Sequence, residues 1–249
     1  MNREESTSTL DQKASKNSSH AEAWATESNR VDDSVLTEDL ALALLKRRDL
    51  PAPALERLSK NAGVMKSRKV RFALASHPLA ARRISLRLIR EFYTFDLMQF
   101  ALAGPAAADL KRAADEILVS RIASITLGER ISLARRASGT VAAALLLDKE
   151  KRVWQCALEN PRLTESGLLK TLSRSTAGAA LVEAICHSTK WSLRTEIRMA
   201  LLRNEKTPLA CALEFARKLN AAQLRDVLHS SRLPEKIKNY LRKDLLDKS

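Results

Sequence analysis

One phrase of nine residues keeps returning in this chain, and it limits the fold more than any other feature. Val70-Arg-Phe-Ala-Leu-Ala-Ser-His77-Pro78 recurs as Val153-Trp-Gln-Cys-Ala-Leu-Glu-Asn160-Pro161, and again, without its proline, as Ile197-Arg-Met-Ala-Leu-Leu-Arg-Asn204. In each copy a β-branched residue lies seven places before an Asn or His, residue types that close helices in the left-handed conformation. New starts follow: Leu163-Thr164-Glu165 in one case and Lys206-Thr207-Pro208-Leu209 in another, with Thr suited to the N-cap and Pro to the first helical position. Degenerate copies run from Met98 to Pro105 and from Leu228 to Pro234. The starts at 70, 153 and 197 are 83 and 44 residues apart, which reads as one or two units of about forty, the period of two-helix repeats. A unit of that size cannot bury its own apolar face, so neighbours must stack to make a core.

Composition agrees with helices. Hydrophobic residues, mostly Leu and Ala, are 45% of the 249 residues, aromatics 4%, and there are six glycines. No stretch alternates as a half-buried strand would. Pro51, Pro78, Pro105, Pro161, Pro208 and Pro234 each stand where one apolar helical pattern stops and the next begins. Residues from about 36 to 246 are therefore expected to form thirteen to fifteen antiparallel-paired helices. Residues 1–35 are polar and expected to be a disordered tail, since they cannot bury enough surface to offset their conformational entropy. Within them Trp24 is either an incidental aromatic or the anchor of a short binding helix. The formal net charge of +14 is unevenly spread: residues 1–35 hold four basic and seven acidic side chains, a net of −3, which leaves +17 on the rest. Such a surface attracts nucleic acid, anionic lipid or an acidic protein.

The phrases Val70–Pro78, Val153–Thr164 and Ile197–Leu209 resemble the HEAT-like families, above all the leucine-rich variant repeats. That resemblance implies an all-α fold, an α-α superhelix of stacked two-helix repeats over residues 36–249. It is nearly silent on function. The clustered cysteines that hold an iron–sulfur centre in one leucine-rich variant protein have no counterpart here, so no cofactor is expected.

Little in the chain reads as catalysis. No glycines form a GxG phosphate cradle, and His20, His77, His187 and His229 stand singly, without metal-ligand spacing. Cys156, Cys186 and Cys211 are far apart among apolar neighbours and are expected to be buried thiols. With no apolar run near the ~20 residues of a membrane span and no signal peptide, the expected address is the cytoplasm.

Arginine on helix faces is what stands out. Arg83, Arg87 and Arg90 fall on one side of Ala81–Arg90, opposite Ala81, Ile84, Leu88 and Ile89, and make an outward stripe. Arg135, Arg136, Lys151, Arg152, Arg194, Arg198 and Arg203 add basic groups near other repeat ends. Stacked repeats would line these up into a ribbon for phosphates or acidic side chains; the alternative is a solvated face with local Glu partners. Phe92, Tyr93, Phe95 and Phe100 are expected to be local core, with Phe95 also a candidate contact. Trp154 and Trp191, beside Arg152 and Lys190, either stack a base or pack between repeats. The expected function is a non-enzymatic scaffold or adaptor that binds a protein partner through a basic superhelix surface, with nucleic-acid binding as the alternative. DNA glycosylases also use HEAT-like repeats, but their catalytic carboxylate and aromatic positions find no match in these residues.

Overall fold

Leu, Ala and a few β-branched residues at helical spacing, interrupted by short breaks some of which carry proline, leave short helices as the way to satisfy the backbone. The computed structural model describes residues 36–246, and among these it contains fifteen α-helices and no strand. In chain order they are α1 Glu38–Leu45, α2 Ala52–Lys60, α3 Arg68–Ser76, α4 Arg82–Glu91, α5 Thr94–Leu102, α6 Ala108–Arg121, α7 Leu127–Arg136 and α8 Gly139–Leu145. There follow α9 Lys151–Leu158, α10 Glu165–Leu172, α11 Ala179–Cys186, α12 Thr195–Arg203, α13 Leu209–Arg217, α14 Ala221–Ser230 and α15 Glu235–Leu246. The expected tail over residues 1–35 lies outside the described residues.

Six starts are written locally by a capping side chain. Side chains of Thr37, Ser67, Ser138 and Thr164 accept a backbone N–H at their helix starts, while Thr126 with Glu129 and Asn220 with Gln223 form capping boxes. Each satisfies a donor the first helical turn leaves orphaned. The six junction prolines all lie outside helices. Thr207, however, does not cap α13. Pro208 takes that position, and the Thr207 hydroxyl, buried, turns back to donate to the Leu201 carbonyl at 2.6 Å.

The described residues fall into two compact units that divide between Ala114 and Asp115, inside α6. In the first, α3 packs on α1, α4 and α5. Its core includes Leu55, Leu74, Leu88, Ile89 and Leu97, and Phe72, Phe92 and Phe100 form a trio with ring centroids 5.8, 6.0 and 5.9 Å apart. The aromatic run is thus only half core: Phe92 and Phe100 are buried, whereas Tyr93 is 63% exposed and Phe95 38%.

In the second unit most helices pack on the helix two places on: α7 on α9, α8 on α10, α9 on α11, α10 on α12, α12 on α14 and α13 on α15. Such contacts set a two-helix step. Helices α7, α9, α11 and α13 begin at residues 127, 151, 179 and 209, so a two-helix step takes 24, 28 or 30 residues, not about forty. The 44 residues between the phrases at 153 and 197 span three helices, from α9 to α12. Any helix that must bury one face and end at a stop can carry the phrase, so its copies on α3, α9 and α12 need not be spaced by the two-helix step.

The Asn and His that end these phrases do something other than close a helix in left-handed conformation. No non-glycine residue has positive φ among the described residues, and His77 (φ −71°, ψ 131°) and Asn204 (φ −89°, ψ 130°) are extended. Their side chains act as locks instead. Asn160, 1% exposed, donates from Nδ2 to the Ala134 and Ala137 carbonyls at 2.8 and 3.2 Å and accepts the Arg162 N–H at 2.7 Å. Asn204 donates to the Leu172 carbonyl at 2.9 Å and accepts the Lys206 N–H at 2.9 Å. His77 pairs Nε2 with the Arg47 carbonyl at 2.8 Å and accepts the Leu79 N–H on Nδ1 at 3.2 Å. With Nδ1 accepting, Nε2 must carry the proton, which makes His77 a donor like the two asparagines. In every case a carbonyl at or just past the end of an earlier helix, left without an intrahelical partner, is satisfied by a side chain 23 to 32 residues further on.

Candidate functional site

Helices α7, α9 and α11 turn one face inward, burying Leu133 and Ala134, then Val153, Trp154, Ala157 and Leu158, then Leu181, Val182, Ile185 and Cys186. Their outer edges enclose an open groove of ≈ 900 Å³. Because α7, α9 and α11 start 24 and 28 residues apart, Arg135, Glu159 and His187 occupy equivalent places on the three helices, and all three line the groove. Arg152 and Lys190 line it too, with Ile131, Leu158, Ala184 and an edge of Trp154 supplying apolar wall. The groove therefore presents Arg135, Arg152, Lys190 and the titratable His187 around a single carboxylate, Glu159.

Each cation is held differently. Arg135 donates from Nε to the Cys156 sulfur at 3.4 Å, and that hydrogen bond, with the charge interactions of Cys156 and Glu159, moves the guanidinium pKa above its ordinary value. The Lys190 ammonium sits 4.5 Å over the Trp191 ring and donates to the Asn160 carbonyl at 3.2 Å. Arg152 is exposed and has no carboxylate partner among the described residues. Arg136 and Lys151 are exposed on the same helices, the Arg136 carbonyl accepting from Arg162 at 3.3 Å.

The other arginines of interest end in ion pairs or backbone bonds. Arg83, Arg87 and Arg90 are exposed on α4 opposite buried Ile84, Ser85, Leu88 and Ile89. Arg83 pairs with Glu56 of α2 at 2.5 Å and Arg87 reaches the Ser59 carbonyl at 3.5 Å, across a cleft of ≈ 470 Å³. Arg194 pairs with Glu165 at 2.7 Å, Arg203 with Asp226 at 2.7 Å, and Arg198 donates to the Leu193 carbonyl at 2.7 Å. Stripe and groove thus belong to different units; of the binding residues singled out from sequence the groove gathers Arg135, Arg152 and Trp154, and Arg194 lies apart beside Trp191.

The tryptophans are structural in their contacts. Trp191, 1% exposed, donates its indole N–H to the Leu158 carbonyl at 3.0 Å, with Arg194 5.3 Å from its ring; Trp154 is 6% exposed. Neither ring offers an open face for a base to stack on. Phe95 lies on α5 in the first unit. Beside it Arg68, held by Asp96 at 2.8 Å and pushed above its ordinary pKa by that bond, sits 4.9 Å over the exposed Tyr93 ring.

The three cysteines are free. Burial, and then neighbouring Cys211, push the Cys186 thiol well above its usual range, so it stays protonated and a poor nucleophile. Among the described residues no group of three or more His, Cys, Asp or Glu could hold a metal ion, and no helix is long and apolar enough to cross a membrane. Lys190 and His187 are groove residues that sequence reasoning did not single out. The signal that finds them is the 24- to 28-residue step, which carries Arg135 to Glu159 and on to His187. Compared with protein-family models, curated proteins and solved structures, the chain matches none of them.

Proposed function

We propose that the chain is a non-enzymatic helical-repeat adaptor, an α-α superhelix of the HEAT-like, leucine-rich variant kind, whose α7–α9–α11 groove binds an acidic, partly apolar segment of a protein partner. The observation that carries this reading is the make-up of the groove: Arg135, Arg152 and Lys190 beside Ile131, Ala184 and Leu158, with Glu159 between them. A nucleic-acid backbone places a phosphate at each nucleotide and rewards a continuous row of cations. Here a carboxylate interrupts the row, and outside the groove Arg83, Arg194 and Arg203 are already committed to Glu56, Glu165 and Asp226. Mixed apolar and cationic walls suit a peptide that presents carboxylates along one edge of an apolar stripe. Three free thiols fit action in a reducing compartment, the cytoplasm.

The test is a fluorescence-anisotropy titration of the full chain with a dye-labelled oligoglutamate peptide and, separately, with duplex DNA, each at low and physiological salt. The expected result is saturable peptide binding that outcompetes DNA at physiological salt. Tighter binding of DNA, with a steep salt slope, would overturn the proposal in favour of nucleic-acid recognition.

A further inference from the structure

Arg83, Arg130, Arg194 and Arg203 each close on a carboxylate of their own unit: Glu56, Asp148, Glu165 and Asp226. Two arginines of the α7–α9–α11 groove do not. Arg135 uses its Nε on the Cys156 sulfur at 3.4 Å, and among the described residues its two terminal nitrogens meet no acceptor. The Cys156 contact fixes the guanidinium plane and leaves its outer edge free. Arg152, exposed at the groove wall, has no hydrogen-bond or ion-pair partner among the described residues.

Both free forks belong to one place. Arg152 and Cys156 are four residues apart on α9, so they are neighbours on one helix face, with Cβ atoms about 5–6 Å apart, and Arg135 rests against Cys156. Three residues beyond Cys156 on the same face stands Glu159, at the end of the groove where Lys190 already donates to the Asn160 carbonyl. The cations therefore do not form a row. They form a seat for one anion between Arg152 and Arg135, bounded by a carboxylate. A single carboxylate brings one charge and two oxygens, which satisfy one fork. A phosphate monoester brings about −1.5 to −2 charges at pH 7 and three strong acceptor oxygens, and paired Arg–phosphate bonds are among the strong charge-assisted hydrogen bonds. The phosphodiesters of a nucleic acid reward a run of cations instead, a run that Glu159 breaks.

We infer that the groove takes a phosphorylated segment of the partner, its phosphate monoester clamped between Arg135 and Arg152 and its apolar neighbours laid on Ile131, Leu158 and Ala184. Phosphorylation of the partner then controls binding. This inference rests on the groove being a site for acidic segments, and it names which acidic group the seat prefers.

The experiment is fluorescence anisotropy on the full chain at physiological salt. The probes are dye-labelled oligoglutamate and a dye-labelled peptide Ala-Leu-Glu-Ala-Ser-Leu-Glu-Ala with its serine free, phosphorylated or replaced by Glu. The phosphoserine peptide should bind at least about tenfold tighter than its Glu version. Arg135→Gln and Arg152→Gln, each alone, should cut that preference to about twofold, whereas Arg83→Gln in the first unit should leave it unchanged. If the Glu version binds as tightly as the phosphoserine one while oligoglutamate still binds, the phosphate seat is overturned and the groove stands as a site for carboxylates. If neither oligoglutamate nor the phosphopeptide binds, both readings fall. A preference that survives both substitutions puts the phosphate elsewhere and overturns the seat, as does duplex DNA that displaces the phosphopeptide at physiological salt. Circular dichroism checks that the helices persist in each variant. Arg152 is exposed and unpartnered, so Arg152→Gln carries the test even where Arg135→Gln fails to fold.

Discussion

Arginines of the two units start from the same sequence signal and end in different company. On α4 of the first unit Arg83 and Arg87 lie across a cleft from α2 and are answered there by Glu56 and the Ser59 carbonyl. In the second unit Arg135 and Arg152 flank a groove whose one carboxylate is Glu159. A third arginine marks the opposite extreme: Arg130 of α7 pairs with Asp148 at 2.9 Å, and the Asp148 side chain is only 2% exposed. Exposure and partner, rather than residue type, decide which arginine staples helices, which supports the fold and which stands in a groove without a carboxylate partner.

The largest effect expected from this contrast is at Arg130. Replacing it by Met leaves Asp148 buried with only the Glu150 N–H at 2.9 Å, and removing one member of a buried pair should cost about 3 kcal/mol in a urea titration. A cost near that of a surface pair would show that Asp148 rehydrates. Next come the locks. Asn160→Ala strands two carbonyls and an N–H in the core and should cost about 2 kcal/mol, more than His77→Ala, whose partners lie nearer solvent. Equal losses would mean that the two units are locked equally well by either side chain.

A smaller effect with a definite pH signature is expected at Asp115, where burial raises the carboxyl pKa, opposed by a hydrogen bond from Ser138. A carboxyl raised in the folded state carries no penalty below its unfolded pKa and a full one above its folded pKa, so wild type should lose stability relative to Asp115→Asn as pH rises through that window. Thermal midpoints of the two proteins from pH 3 to pH 8 are the check, and a gap that closes with rising pH would contradict the sign. The smallest effect belongs to the stripe. Arg83→Gln, Arg87→Gln and Arg90→Gln together should change stability by no more than about 1 kcal/mol, because exposed ion pairs contribute little. Unfolding of this triple variant would show that the first unit depends on its staples.

How far the sequence could be read follows from range. Helices and their breaks are local matters of periodicity, capping side chains and proline, and Thr164 and the junction prolines were readable where they stand, whereas Thr207 was misassigned because its hydroxyl turns back to the Leu201 carbonyl. The two-helix step was not. Val153 and Ile197 head similar phrases on α9 and α12, three helices apart, so their spacing does not report it. Asn204 and His77 were visible as helix-end residues, yet their carbonyl partners lie 32 and 30 residues back, and the need to satisfy those distant groups goes with an extended backbone rather than a left-handed one. The groove was half legible: Arg135, Arg152 and Trp154 stood out by charge and size, while Lys190 and His187 join them through the packing of α9 on α11.

The central claim is that cations around the α7–α9–α11 groove, and not those on the α4 stripe, hold an acidic ligand. It is tested most directly by titrating dye-labelled oligoglutamate into two full-length variants at physiological salt, Arg135→Gln with Arg152→Gln and the α4 triple to Gln. The account predicts at least about a tenfold loss of affinity for the groove pair, as expected for two charge-assisted contacts, and less than a twofold change for the stripe. A loss confined to the stripe variant, or an equal loss in both, would contradict it.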